Sequence, residues 1–460
     1  MTRRQLLSLA ATGAFAAEHL NRAPVSRETL TVKLPEASPV KLSNGVTVLA
    51  IEDNRLPIAL VRFQIEDAGT IYSPHPGVAE FTAQMLLEGS AGRSGKQLAE
   101  EASRLGTTFS SNSVPGAEAA VVEGSGLTGR FPEWLQLLTG VVLHPTFPAD
   151  EFNGLRQQFL TRIRLRATQP GSMAFDLMQR IVYGSHPAAI MLPPAQALTS
   201  LTPEMLATWH RERYAPAKIV VLCIGRMTPA SFAGRIEKLL GAWKTTEVNP
   251  APLPLPQPAS ARRIVLVDRP GAAQTELVVG SLLFDRRDPD FIPMTVLNAV
   301  LGSGINSRLF RILRSEKGYT NNVGSAFSAV RYPGTWRISG GVRTDATAES
   351  LSIVLEQLRR LCEEPISAEE LDAAKSGEVG RFALNLEQPL QVITQSYLRH
   401  RYRFSADYWE RYPGKVAAVT AADTQAVAQK YYDPSRAHIV AVGDAARIRT
   451  ALEKLGKVET

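Results

Sequence analysis

Apolar and polar positions along the chain separate it into strands and helices in a regular succession. From Val40 the pattern is β: Asn44-Gly45 signals a tight turn before Val46–Ile51, and Pro57 precedes a second run, Ile58–Ile65. The stretch Pro76–Ser90 then changes rhythm. Val78, Phe81, Met85 and Leu86 recur at helical spacing, with Pro76-Gly77 opening the run and Gly89 stopping it. Further helices are predicted over Ser94–Leu105, with Ser94 as N-cap and Gly106 as terminator, and over Pro132–Leu143, Pro148–Thr168 and Ser172–Tyr183. Strands are predicted over Thr107–Ser113 and Ala119–Glu123.

The succession repeats. Leu201-Thr202, Tyr214-Ala215-Pro216, Val221-Leu222 and Gly225 return as Val419-Thr420, Tyr432-Asp433-Pro434, Ile439-Val440 and Gly443, with Thr, Tyr, Pro and Gly each displaced by 218 residues. The unit is a Thr-capped helix, a Tyr-x-Pro turn and a buried strand ending in Gly. Between the copies, Pro250 to Pro258 alternates proline with other residues, which favours an extended, semi-rigid strap without sheet or helix bonds. Strands at Arg263–Val267 and Gln274–Gly280, a helix at Asp290–Leu301, a Gly302-Ser303-Gly304 turn and a helix at Ser307–Ser315 restart the pattern.

Composition narrows this picture only a little. At 460 residues the chain is too long for one core. Its net charge of +7 comes from scattered Lys and Arg, without the aromatic-interleaved basic stripe of a nucleic-acid binder. No apolar run reaches the roughly 18 residues of a membrane span. The two cysteines, Cys223 and Cys362, lie far apart in apolar contexts and read as buried thiols. The first residues carry more information. Arg3-Arg4, the mild apolar run to Ala17 and Ala14-Phe15-Ala16 predict a signal peptide over residues 1–17, of twin-arginine type, and hence a periplasmic or other extracytoplasmic location.

Candidate chemistry centres on the helix after Pro76. Glu80 and Gln84 are four residues apart on one face, with Ala83 beside them. Histidines at the outer two positions and a glutamate before the second would make a zinc peptidase site. Here the three are Glu, Ala and Gln. A cluster of His75, Glu80 and His186 is the alternative metal-binding set, and no spacing supports it.

With these residues in hand, the chain resembles the pitrilysin/insulinase family of zinc peptidases, most closely its short subunits like those of mitochondrial processing peptidase. The resemblance rests on Leu42-Ser43-Asn44-Gly45-Val46, Gly77-Val78-Ala79 with Met85 to Gly89, Tyr214-Ala215-Pro216, Ser307-Arg308-Leu309-Phe310 and Leu313 to Gly318. It implies an α+β fold of two homologous halves. Each half comprises two α/β-sandwich (ferredoxin-like roll) units, and a Pro-rich linker joins the halves as a clamshell around extended peptide. The corresponding division is a first half over 38–246, a linker over 247–262 and a second half over 263–457. Active members carry HxxEH on the opening helix and a third, carboxylate ligand on a later helix. In this chain those positions hold Glu80, Ala83 and Gln84, with Thr161 and Arg162 at the third-ligand position, and no Asp or Glu occurs from Phe152 to Ala174.

In paired members the second half supplies an arginine and, seven residues on, a tyrosine that hold substrate. Here Arg314 matches the arginine, Asn321 occupies the tyrosine position, and Tyr319 lies two residues short of it. The resemblance therefore implies a chain with no catalytic or metal-ligating residue of its own. Arg314, Asn321 and Tyr319 become substrate-binding candidates, and zinc is expected in a homologous HxxEH-bearing partner, as a heterodimer. The alternatives are a clamshell that binds or scaffolds peptides without cleaving them, and a hydrolase with a relocated metal or none.

Overall fold

The computed structural model describes residues 31–244, 249–259 and 261–460; the leader predicted over residues 1–17 lies outside them. Two six-stranded sheets organise the chain. The first uses β1 (Val40–Lys41), β2 (Thr47–Glu52), β3 (Ile58–Glu66), β6 (Thr107–Asn112), β7 (Ala119–Leu127) and β8 (Ile219–Gly225), in the order β1-β2-β8-β3-β7-β6. A small ribbon of β4 (Gly89–Ser90) and β5 (Arg93–Ser94) follows the opening helix. The second sheet uses β9 (Ile264–Asp268), β10 (Gln274–Leu282), β11 (Thr320–Phe327), β12 (Thr335–Arg343), β13 (His438–Gly443) and β14 (Val458–Glu459). Its order, read from the β14 edge, is β14-β9-β13-β10-β12-β11; from β9 on it follows the path of the first sheet from β2, while the edge strands differ, β1 antiparallel and β14 parallel to its neighbour. In both, the strand after the Tyr-x-Pro turn lies parallel to the first long strand and antiparallel to the second.

The repeated landmarks do the same work in each copy. Thr202 Oγ1 accepts from Met205 N and Thr420 Oγ1 from Asp423 N, satisfying otherwise unpaired first-turn amides. Tyr214 and Tyr432 are both fully buried, fixing the turn into the strand that follows.

Burial explains the two kinds of strand. β3 alternates, with Ala59, Val61, Phe63 and Ile65 in the core of the first half and Arg62 and Gln64 on the opposite face. β8, and β13 after His438, instead read as unbroken apolar runs, and both are buried along their whole lengths. Each half lends a helix to the other's sheet. Ala174, Met178 and Val182 of the helix Pro170–Tyr183 pack on Val278, Val440 and Val442 of the second sheet. Val392, Ile393 and Tyr397 of the helix Pro389–Tyr402 pack on Leu49, Ile51, Val220, Leu222 and Ile224 of the first.

Polar contacts follow the same seam. Tyr332 Oη donates to Gly116 O at 2.7 Å, Tyr397 Oη to Glu66 Oε1 at 3.2 Å, and Arg401 pairs with Glu66. Residues 249–259 of the strap form no helix or strand, and Leu253 packs beside Ile71, Tyr183 and Tyr332 where the halves meet.

One predicted helix is wound differently. Over Phe310–Glu316 the chain forms a π-helix, Lys317 N donating to Ile312 O. The wide turn keeps both Leu309 and Leu313 fully buried while Arg311 and Arg314 face outward.

Candidate functional site

The opening helix, Val78–Met85, is locked into the first core. Gly77 caps it in the left-handed region at φ 99°, and a Cβ there would lie 3.0 Å from Leu201 Cδ1, so backbone freedom and close approach both call for glycine. Phe81, fully buried, sets its ring 4.5 Å from that of Phe159 and 5.8 Å from that of Phe152, joining this helix to the helix Ala149–Arg166.

That join brings the four positions of interest to one region. Glu80 is only 7% exposed, and burial raises its carboxyl from 4.5 to about 7, against the nearby positive charge of Arg162. Arg162 stacks on the Phe159 ring at 4.5 Å and keeps its exposed side chain on an open cavity of about 460 Å³ with Gln157, Gln158, Thr161 and Leu165. Ala83 is fully buried and offers only a methyl; Gln84 is half-buried.

Zinc does not fit this set. A catalytic zinc takes three protein donors and an open water position. Of the four side chains here, Glu80 is the one ionisable donor, burial favours its neutral form, and Arg162 brings a positive charge. Among the described residues no three His, Cys, Asp or Glu side chains come together as a metal-holding group, so His75, Glu80 and His186 do not form one. His75 is exposed. His186 is buried, its Nδ1 accepting from Ala188 N at 3.1 Å and its ring centroid 4.9 Å from Tyr332 and 5.6 Å from Tyr183. His210, pushed down to about 4 by burial, is 2.8 Å from Val142 O through Nε2, and His438 Nδ1 accepts from Arg263 N.

The second-half candidates part company. Arg314 is exposed and lies over the Phe310 ring at 4.8 Å. Tyr319 Oη donates to Glu349 Oε2 at 2.6 Å while Lys317 Nζ holds Glu349 Oε1 at 3.0 Å, which commits the tyrosine to an ion cluster. Asn321 is the extra residue of a β-bulge, between the Thr320–Val342 and Asn322–Gly341 pairs, and the bulge turns it into a cleft of about 450 Å³. Glu276 and Arg337 line the same cleft. Sequence reading did not single out these two. Their alternation marks them as lying on the face opposite the core, but the register that brings them together is a long-range property.

Comparison with known proteins agrees with this architecture. The family model described as insulinase (peptidase family M16) matches residues 47–193, and that of the peptidase M16 inactive domain matches residues 200–378. The chain belongs to the insulinase family. An uncharacterized zinc protease of Bacillus subtilis, YmxG, is 24% identical over 312 residues, covering 68% of this chain and 75% of that protein. One from Mycobacterium tuberculosis is 24% identical over 362 residues, covering 77% and 81%. The crystal structure of a peptidase M16 inactive domain from Pseudomonas fluorescens superposes with a TM-score of 0.82 at 25% identity, over 89% of this chain and 98% of that one. A Helicobacter pylori protease gives a TM-score of 0.81 at 18% identity. These relatives are named as proteases or peptidase domains.

Proposed function

We propose that this chain is the non-catalytic subunit of a heteromeric zinc metallopeptidase, exported to the periplasm, which completes the peptide chamber of a partner carrying HxxEH. The observation that carries the reading is that the paired helices are firmly packed while no metal-holding group of side chains occurs among the described residues. Phe81, Phe152 and Phe159 hold the two helices together, and the side chains between them, Glu80, Ala83, Gln84 and Arg162, offer a single ionisable donor. The partner supplies zinc and the water-activating glutamate, and this chain supplies chamber wall and groups that hold substrate, Arg314 and Asn321 among them. Among the described residues no helix is long and apolar enough to cross a membrane.

The test is expression with and without an HxxEH-bearing relative encoded beside it, assayed on an unstructured peptide. Hydrolysis requiring both chains, and reduced several-fold by Arg314→Ala, is the expected result. A partner equally active alone removes the subunit role. The cleft beside Asn321 favours a second reading, a clamshell that captures extended peptide without cleaving it. That reading is selected if peptide binds and no partner adds hydrolysis.

A further inference from the structure

The inter-half face of the second sheet carries two opposite charges that do not meet. Gln274, Glu276 and Val278 on β10, and Arg337, Ser339 and Gly341 on β12, point to one side. The helix Pro170–Tyr183 covers Val278 but leaves Ser339 exposed beside it. Arg337 is half-buried, its guanidinium over the Phe175 ring at 4.8 Å, and among the described residues it has no ion pair or hydrogen bond through its side chain. Glu276 is half-buried and likewise without either. Its carboxylate lies against two glycines: a Cβ at Gly341 would meet Oε1 at 2.6 Å and one at Gly171 would meet Oε2 at 3.5 Å. Burial presses both groups toward their neutral forms, raising Glu276 and lowering Arg337.

The corresponding face of the first sheet is different. There Arg62 stands directly across from Glu123 and pairs with it at 2.6 Å, so the charges satisfy each other. On the second sheet Arg337 stands opposite Gly280 and Glu276 opposite Gly341. The two charges are thus set four positions apart along β12, roughly 13 Å of strand at about 3.3 Å per residue. Between them lie Ser339, Gly340 and Gly341, with Asn321 and Asn322 alongside, a floor of small and amide side chains in a cleft of about 450 Å³. Half-buried charges without partners are costly, and a ligand that supplies an anion at one end and N–H donors at the other removes both costs.

We propose that this cleft binds an extended peptide segment of roughly four residues, with a peptide carboxylate on Arg337 and backbone N–H groups donated to Glu276 and the Asn321 amide oxygen. The proposal deepens the chamber reading above and rests on it. The carboxylate comes either from a peptide C-terminus or from an acidic side chain.

Fluorescence anisotropy with the full chain alone, without a partner, tests it. Three N-terminally labelled unstructured decapeptides serve as probes: one with a free C-terminus and no acidic residue, the same peptide amidated, and the amidated peptide with a central aspartate. Binding of a carboxylate-bearing peptide at least tenfold tighter than the neutral amidated one is expected, and which of the two binds identifies the source. Arg337→Gln and Ser339→Trp, each checked for folding by circular dichroism, should weaken it tenfold or more, and Glu276→Gln about threefold. Equal binding of all three peptides, no binding of any, or wild-type affinity in both folded cleft variants Arg337→Gln and Ser339→Trp overturns the proposal. Those outcomes are separable from failure of the subunit reading, which is decided by hydrolysis in the mixture.

Discussion

Replacing Glu80 with glutamine should stabilise the protein at alkaline pH and leave it unchanged in acid. Glu80 is 7% exposed, and its carboxyl moves from 4.5 to about 7 on folding, mainly because burial disfavours the charged form. Below pH 4.5 the carboxyl is protonated in folded and unfolded chains alike, and no penalty exists. Between pH 4.5 and 7 the unfolded chain releases the proton and the folded chain retains it, so stability falls as pH rises. Above that window the penalty is complete. At about 1.4 kcal/mol per unit it amounts to about 3 kcal/mol.

Glutamine keeps the size and removes the titration. The stability of wild type relative to Glu80→Gln should therefore decline by about 3 kcal/mol between pH 4.5 and 8, read from urea midpoints at matched pH so that other titrations cancel. Arg162 gives a second handle. Its charge opposes the shift, so Arg162→Gln should destabilise wild type at pH 8 more than it destabilises the Glu80→Gln variant. A wild-type-to-variant difference that is flat with pH, or that grows in favour of wild type, refutes the reasoning.

Other outcomes follow from the same region and from the leader proposed over residues 1–17. After incubation with zinc and desalting, the chain should hold far less than one equivalent by mass spectrometry of the metal; a stoichiometric ion would contradict the donor set. Phe81→Ala removes a fully buried ring packed on Phe152 and Phe159 and should cost about 3–5 kcal/mol, seen as a lowered denaturant midpoint. Replacing Arg3 and Arg4 together with lysine should retain the protein in the cytoplasm on cell fractionation; undiminished export would exclude the twin-arginine route.

Much of the fold is legible because its determinants are local. Ser94, Thr202 and Thr420 announce helix starts that the structure confirms as side-chain caps, and the Tyr-x-Pro turns announce the buried strands that follow. The continuity of Ile219–Gly225 and of His438–Gly443 shows that both faces of those strands are covered. It does not say by what. The covering helices come from the opposite half, and no local pattern encodes a contact between Met178 and Val440. The identities of Glu80, Ala83 and Gln84 are equally legible, since which residue stands at a position is a sequence property. The burial of Glu80 is not, because it depends on how Phe81 seats its helix against Phe159.

The second-half site shows where sequence spacing misleads. Arg314, Tyr319 and Asn321 lie within eight residues of one another, yet a π-turn and a β-bulge between them send the side chains to different surroundings. Tyr319 ends on Glu349, Arg314 on Phe310, and Asn321 faces a cleft with residues of two other strands. The duplication sharpens this contrast. Two sheets that share five equivalent strands treat their inner charges differently: Arg62 and Glu123 neutralise each other, while Glu276 and Arg337 are left apart. A duplicated fold supplies a similar scaffold twice, and the difference lies in which residues each register sets opposite one another and in the bulge at Asn321. The inner face whose charges form no ion pair among the described residues is the one proposed above to take a ligand. In this chain it lies in the second half, away from the helix Val78–Met85.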